Sequence, residues 1–252
     1  MFDSTIRYRD GQLETPVYHL ENEHTGSQVD FFGMIHIGRP AYYQAVHDLT
    51  DAMATSRGSE VHYELVKAST GNELAELGAS AEEITSLSSM MSAFGDLILR
   101  NLPGNTQQQK ALHYEPTWQN HDMSFSELVQ RLGKPDIKRM VESLRLIQES
   151  QRDIQPDVLR FLIRTAFRGM PILAPLSRVL GDPNFRQVIV DDRNRIATNA
   201  VRDRLAENPA QNFVMLWGAE HAPGIISTLE GMGYKLRSKF WLGALALNGA
   251  ES

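Results

Sequence analysis

Two segments far apart in the chain follow one plan, and together they restrict the fold more than any other feature. Residues 27–40 read SQVDFFGMIHIGRP and residues 212–224 read NFVMLWGAEHAPG. In each, an apolar run leads into Gly-x-x-His (Gly33 to His36, Gly218 to His221), and Pro40 or Pro223 follows. A continuous apolar run bounded by Gly and Pro is the pattern of a buried strand. Pro suits the first turn of a helix, where its missing N–H would have no partner. Each histidine therefore belongs at the carboxyl end of a strand and ahead of a helix. In open α/β sheets that is the edge where ligands bind.

The surrounding sequence extends this plan. Pro16–His24 and Ser27–Gly38 read as a hairpin turned at Thr25-Gly26. From Pro40, the residues Tyr42, Tyr43, Ala45, Val46, Leu49, Ala52 and Met53 keep helical spacing until Gly58, and Glu60–Lys67 reads as the next strand. Strand, helix and strand over this length make a right-handed βαβ unit with parallel strands, which brings His36 and Glu64 to one edge. The middle of the chain is mostly helical. Ala81–Arg100, carrying Met90, Met91 and Phe94, reads as a helix stopped by Pro103-Gly104. A short strand at Ala111–Glu115 and the loop PTWQNHD follow. Ser124 then caps a helix with Glu127 in capping-box register, and helices are expected near 135–151 and 156–168. This segment is expected to cover a face or end of the sheet as a lid. After a helix at Gln187–Glu207 the βαβ pattern returns, with Phe213–Trp217 as strand, Pro223–Glu230 as helix and Tyr234–Leu247 extended. The predicted class is α/β: a central mixed, largely parallel sheet formed by N- and C-terminal βαβ units, in a single domain over 1–252 with a mostly helical insertion at about 70–180.

Composition narrows the function classes. A net charge of −6 argues against nucleic acid as the main partner. The absence of cysteine removes disulfides, thiolate metal ligands and a Cys nucleophile. The opening MFDSTIRYRDGQLE lacks the apolar core of a signal peptide, and the longest apolar stretch, Phe240–Leu247, is too short to span a bilayer. A soluble cytoplasmic protein is expected.

The chemistry-bearing residues form a small set. Two imidazoles, His36 and His221, need a third ligand to hold a divalent ion; a helix cap or a bond to a nearby carbonyl is the alternative for each. Glu64 supplies a carboxylate in an otherwise apolar strand, where it would be costly without a partner; a solvated strand end is the alternative. His62 lies on the same face of an ideal strand and is a spare ligand. Asp122 reads either as a general base or orienting group, or as a helix cap near Ser124. Arg193, beside Asn194 at a helix start, can stabilise developing negative charge; a solvated, salt-bridged helix face is the alternative.

Taken together, the two Gly-x-x-His segments, the strand-end Glu64 and the Arg193-Asn194 pair ahead of a small-residue helix resemble the TraB/GumN/Tiki family of the erythromycin-esterase/ChaN-like superfamily. The resemblance covers roughly 16–66 and 187–240 and is looser through the middle. The family's acidic residue ending the second βαβ strand falls on Glu64, and its Arg before the C-terminal unit falls on Arg193. Asp122 matches a family Asp in position, although Met123 follows it where the family usually has Arg. The resemblance implies an α/β fold and, for Tiki-like members, metal-dependent proteolysis. Other members of the superfamily bind haem iron or hydrolyse esters.

The reading that follows is a metal-dependent hydrolase, a peptidase above all. His36, His221 and Glu64 are its metal ligands, for Mn, Zn, Co or Fe, and Glu64, Arg193 and Asp122 its catalytic residues. Glu64 is either ligand or base, with Glu220 as the second choice of base. The expected partner is a peptide or small-molecule substrate. Two other readings use the same residues: a metal-free esterase-like hydrolase with the histidines as acid and base, and a non-catalytic protein binding haem, iron or a peptide.

Overall fold

The computed structural model describes residues 5–70, 72–73, 95–96, 98–151 and 183–246. The expected helix at 156–168 and the Met90–Phe94 part of Ala81–Arg100 lie outside these residues. Contacts gather the chain into two compact units, and the chain passes between them after Leu65, Pro103, Asp122 and Ile189.

The first unit is built on the two repeated segments. Asp10 and Gly11, both with positive φ, turn β1 (Arg7–Arg9) into β2 (Gln12–Asn22). Asn22 Oδ1 then accepts from the His24 and Thr25 amides, and Gly26 at φ 73° completes the hairpin into β3 (Gln28–Met34). After the short β4 (Ile37–Gly38), α1 (Pro40–Arg57) opens on its proline and ends at Gly58, φ 61°. The next strand, β5 (Glu60–Tyr63), is shorter than expected, although the Glu64 N–H still donates to the Leu216 carbonyl at 2.9 Å. β6 (Thr106–Gln107), which pairs with β4, runs into α2 (Gln108–Ala111), and β7 (Gln119–Asn120) follows.

The short strand expected at Ala111–Glu115 is not formed. Those residues end α2 and continue as loop, and the strand beside β5 is β7, inside PTWQNHD. Its two polar residues carry no apolar pattern. They are held by the β5 ladder and by Asn120 Nδ2, which donates to the Leu65 carbonyl at 2.7 Å.

In the second unit, α3 (Phe125–Gln151) begins with the expected capping box. The Ser124 N–H donates to Glu127 Oε2 at 2.8 Å and the Glu127 N–H to Ser124 Oγ at 3.2 Å. Gly133, non-helical at φ 72° and ψ 163° just before Pro135, breaks it in two, so the helix expected near 135–151 is its second half. In α4 (Pro183–Arg186), Asn184 donates to Asp136 of α3. A π-helical turn, Gln187–Asp192, leads to α5 (Arg193–Glu207), which belongs to the first unit.

The chain then enters β8 (Phe213–Gly218), a 3₁₀ turn (Ala219–His221), α6 (Ala222–Gly231) and β9 (Tyr234–Ala246). The sheet has seven strands in the order β1-β2-β3-β8-β5-β7, with β9 along the other edge of β2. β3, β8, β5 and β7 are parallel, and β2 is antiparallel to β1, β3 and β9. This is the expected mixed α/β sheet. β8 lies between β3 and β5, pairing Phe32 with Leu216 on one side and Tyr63 with Leu216 on the other.

Side chains alternate across the strands. Phe31, Phe213, Met215 and Trp217 pack with Ala197 and Val201 of α5 and Ile225, Ile226 and Leu229 of α6. Phe32, Met34, Val214 and Leu216 pack with Tyr42, Tyr43 and Val46 of α1. Both faces are covered, which is why β3 and β8 read as unbroken apolar runs. The helix after β3 therefore lies on one face and the helix after β8 on the other. Adjacent parallel strands whose connections part to opposite faces leave a crevice beyond their carboxyl ends. No helix among the described residues is long and apolar enough to cross a membrane.

Candidate functional site

Glu64, Asp122, Arg193, Asn194 and His221 are all at most 7% exposed, and all belong to the first unit. They meet beyond the carboxyl ends of β5 and β8. Glu64 is the first residue past β5. The Gly218 N–H, where β8 turns into the helical segment, donates to Glu64 Oε2. That places the carboxylate at the start of the Ala219–Gly231 helical segment, where unpaired N–H groups and the helix dipole favour an anion. Gly218 permits a close approach here, since a Cβ there would lie 3.2 Å from Glu64 Oε2 and 3.4 Å from His221 Cδ2. Gly33, its counterpart, admits backbone and Pro16 instead: a Cβ would meet Pro16 Cγ at 3.1 Å and Ala219 Cα at 3.3 Å.

Arg193, the first residue of α5, binds both acidic residues. Its Nη2 donates to Glu64 Oε1 at 2.5 Å, and its Nε and Nη2 donate to Asp122 Oδ1 and Oδ2 at 2.8 and 2.7 Å. The fork-to-fork pairing with Asp122 fixes the plane of the guanidinium. Asp122 is thus an anchor for Arg193; the cap of α3 is made by Ser124 and Glu127. Burial pushes the Glu64 carboxyl upward, but the His221 ring and the Arg193 charge, with the fields of His221 and His36, outweigh it. The net shift is downward, well below the usual carboxylate range.

The Arg193 guanidinium serves both carboxylates, and His221 approaches the same Glu64 oxygen: its Nε2 lies 3.6 Å from Glu64 Oε1. Its other nitrogen, Nδ1, is 2.7 Å from Asn194 Oδ1. An amide oxygen only accepts, so Nδ1 carries a proton toward Asn194 and Nε2 is turned to the carboxylate side.

His36, in the turn between β3 and β4, is exposed. Its ring is held in the same way as that of His221, with Nδ1 3.3 Å from Gln108 Oε1. Gln108 Nε2 donates to the Tyr114 hydroxyl at 3.1 Å, which turns the amide oxygen toward His36. Both Gly-x-x-His imidazoles therefore present Nε2 while an amide oxygen occupies Nδ1. A metal-binding histidine is held this way by a partner on its second nitrogen.

The remaining sequence candidates lie elsewhere. His62 is fully buried, packed on Phe213 and His121 at ring-centroid distances of 5.2 and 4.2 Å, with Nε2 3.5 Å from Glu60. Glu220 is exposed. Sequence reasoning passed over Gln108, which sits in an unpatterned QQQK, and gave Asn194 no role of its own.

The donor chemistry suits a divalent ion: two imidazole Nε2 atoms and the Oε1 of a carboxylate kept ionised. Among the described residues no three His, Asp or Glu side chains already stand in a metal-holding arrangement. No protein-family model, curated protein or solved structure matches this chain.

Proposed function

We propose that this protein is a metal-dependent hydrolase, acting on a peptide or related acyl bond at the carboxyl edge of β3, β8 and β5. The observation that carries this reading is the shared restraint of His36 and His221, each with Nδ1 on an amide oxygen, and with Nε2 of His221 on the Glu64 side. His36, His221 and Glu64 would hold the ion, which when bound supplies a water of lowered pKa and polarises a scissile carbonyl. The resemblance to the TraB/GumN/Tiki family points to the same chemistry.

The chain's own residues divide the remaining work. Glu64 stays ionised under the charge of Arg193 and the Gly218 N–H. Asp122 holds Arg193 so that this charge stays in place. Asn194 and Gln108 fix the two rings, and His36, being exposed, could be reached by a substrate.

A metal-free acid–base hydrolase is the second reading. It is favoured by the fact that both Glu64 oxygens already accept N–H bonds, so that Glu64 could orient a protonated His221 unaided.

Metal analysis of the purified protein, beside peptide and ester hydrolysis with and without a chelator, tests both. The proposal expects bound metal that the His36→Ala, His221→Ala double variant lacks, and activity lost to chelator and regained with added ion. Equal metal content in both proteins would overturn it. Activity that survives chelation while failing in the double variant selects the metal-free reading.

A further inference from the structure

On the α1 side of the sheet a second pair of histidines converges on one carboxylate oxygen. His47 projects from α1, and His113 and Glu115 stand in the loop after α2. His47 Nε2 is 3.1 Å and His113 Nε2 is 3.4 Å from the same atom, Glu115 Oε1. The side chains of His47, His113 and Glu115 are 20, 73 and 33% exposed, so the cluster is open to solvent while His47 is firmly seated. The His47 ring packs against Trp118, centroids 5.6 Å apart, and its Nδ1 faces Asp48 Oδ1 at 3.7 Å. Asp48 is steadied by Gln44 Nε2 at 2.8 Å.

We propose that His47, His113 and Glu115 form a second metal-binding site, for a transition-metal dication such as Zn²⁺ or Cu²⁺. A tetrahedral ion with bonds of about 2.0–2.2 Å to imidazole and carboxylate holds its ligand atoms roughly 3.3 Å apart. The two spacings to Glu115 Oε1 bracket that value, and the exposed His113 ring, its centroid 5.8 Å from that of His47, has still to turn in to complete the set. The ion takes the place of the Nε2–H proton by which His47 now bonds the shared oxygen, and His113 offers its Nε2 unprotonated. Two imidazoles and a carboxylate are borderline ligands suited to Zn²⁺ and Cu²⁺ and poorly suited to Mg²⁺ or Ca²⁺. The His47 ring is held by its packing on Trp118, and the Asp48 carboxylate lies 3.7 Å from its Nδ1, where a small movement would let it accept from that nitrogen. Occupancy would clamp α1 to the loop that carries Tyr114, the hydroxyl on which Gln108 rests. The site is independent of the strand-end reading.

Zn²⁺ titration by calorimetry and Cu²⁺ titration of tryptophan fluorescence test it. Trp118 is close enough to His47 to report a quenching ion. Wild type should bind one more equivalent of Zn²⁺ than His113→Ala or Glu115→Gln, with unchanged melting temperatures for the metal-free proteins. Cu²⁺ quenching should shrink in His113→Ala and in Trp118→Phe. The same equivalent should persist in His36→Ala, a substitution at an exposed residue of the strand-end site. Equal stoichiometry and affinity in wild type, His113→Ala and Glu115→Gln would overturn the proposal. So would loss of this equivalent in His36→Ala alone.

Discussion

His221 Nδ1 is bonded to Asn194 Oδ1 at 2.7 Å, and the amide nitrogen of Asn194 lies where a side chain on Gly224 would stand. The orientation of a buried imidazole is thus fixed by the packing of α5 against α6. It depends on a residue three positions further along the chain having no side chain.

Asn194→Ala should free the His221 ring and lower metal affinity or activity about 10–100-fold, the usual effect of losing such a partner. Asn194→Asp keeps an acceptor and adds a negative charge, so it should retain the ring and move the acid limb of the pH profile upward. Zn²⁺ affinity and a pH–rate profile of the three proteins check this. Unchanged affinity in Asn194→Ala would show that the bond does not position the ring.

Gly224→Ala should displace Asn194 and cost about 1–3 kcal/mol, as overpacking of a filled interior does. In an Asn194→Ala background the obstacle is gone, and the cost should fall by more than the roughly 0.3–0.5 kcal/mol scatter of independent sites. Urea unfolding of the four proteins measures the coupling. Additive costs would mean that the close approach is not what requires glycine here.

Arg193→Met should destabilise the fold by about 3–5 kcal/mol, because it takes the guanidinium away from two buried carboxylates. Adding Glu64→Gln and Asp122→Asn should recover part of that loss, since neutral amides carry a smaller desolvation penalty. Denaturant midpoints of the single and triple variants decide the matter. A triple variant no more stable than Arg193→Met would argue against charge as the cause.

Acid should destabilise the protein in two consecutive stages. Burial, aided by the neighbouring His121 and Arg204 and opposed by Glu60, lowers His62 from 6.5 to about 4. Between those values the unfolded chain binds a proton that the native chain refuses, so stability falls as pH falls from 6.5 toward 4. Glu64 is also depressed in the native state. Its contribution is complete above the ordinary carboxylate range, near pH 4.3, and is lost below it. His62→Phe should remove the upper stage, worth about 1–3 kcal/mol, and leave the lower one. Melting temperatures between pH 8 and 3 show both stages. An unchanged upper limb in His62→Phe would place its origin elsewhere.

Where a single residue type carries the local structure, the sequence was readable. Pro40 and Gly58 bound α1, Gly26 turns the hairpin, and Ser124 with Glu127 opens α3. The strand-end positions of His36, Glu64 and His221 followed from the same punctuation. What escaped was set by packing between distant segments. β7 is two polar residues held by a neighbouring ladder, and Gln108 reaches His36 only because its β6–α2 segment pairs with β4. The Arg193 side chain read equally well as solvated, because its two carboxylate partners lie 71 and 129 residues away.

The placement of β8 between β3 and β5 also governs when the molecule can acquire its site. The innermost parallel strand leaves the ribosome after both of its neighbours, which must wait for it with an unfilled gap between them. Contacts of such long sequence separation form slowly, and partly made chains with open strand edges are prone to stick to one another. A chain cut short before Phe213 would keep His36, Glu64, Asp122 and Arg193, yet it would lack the strand that seats them side by side.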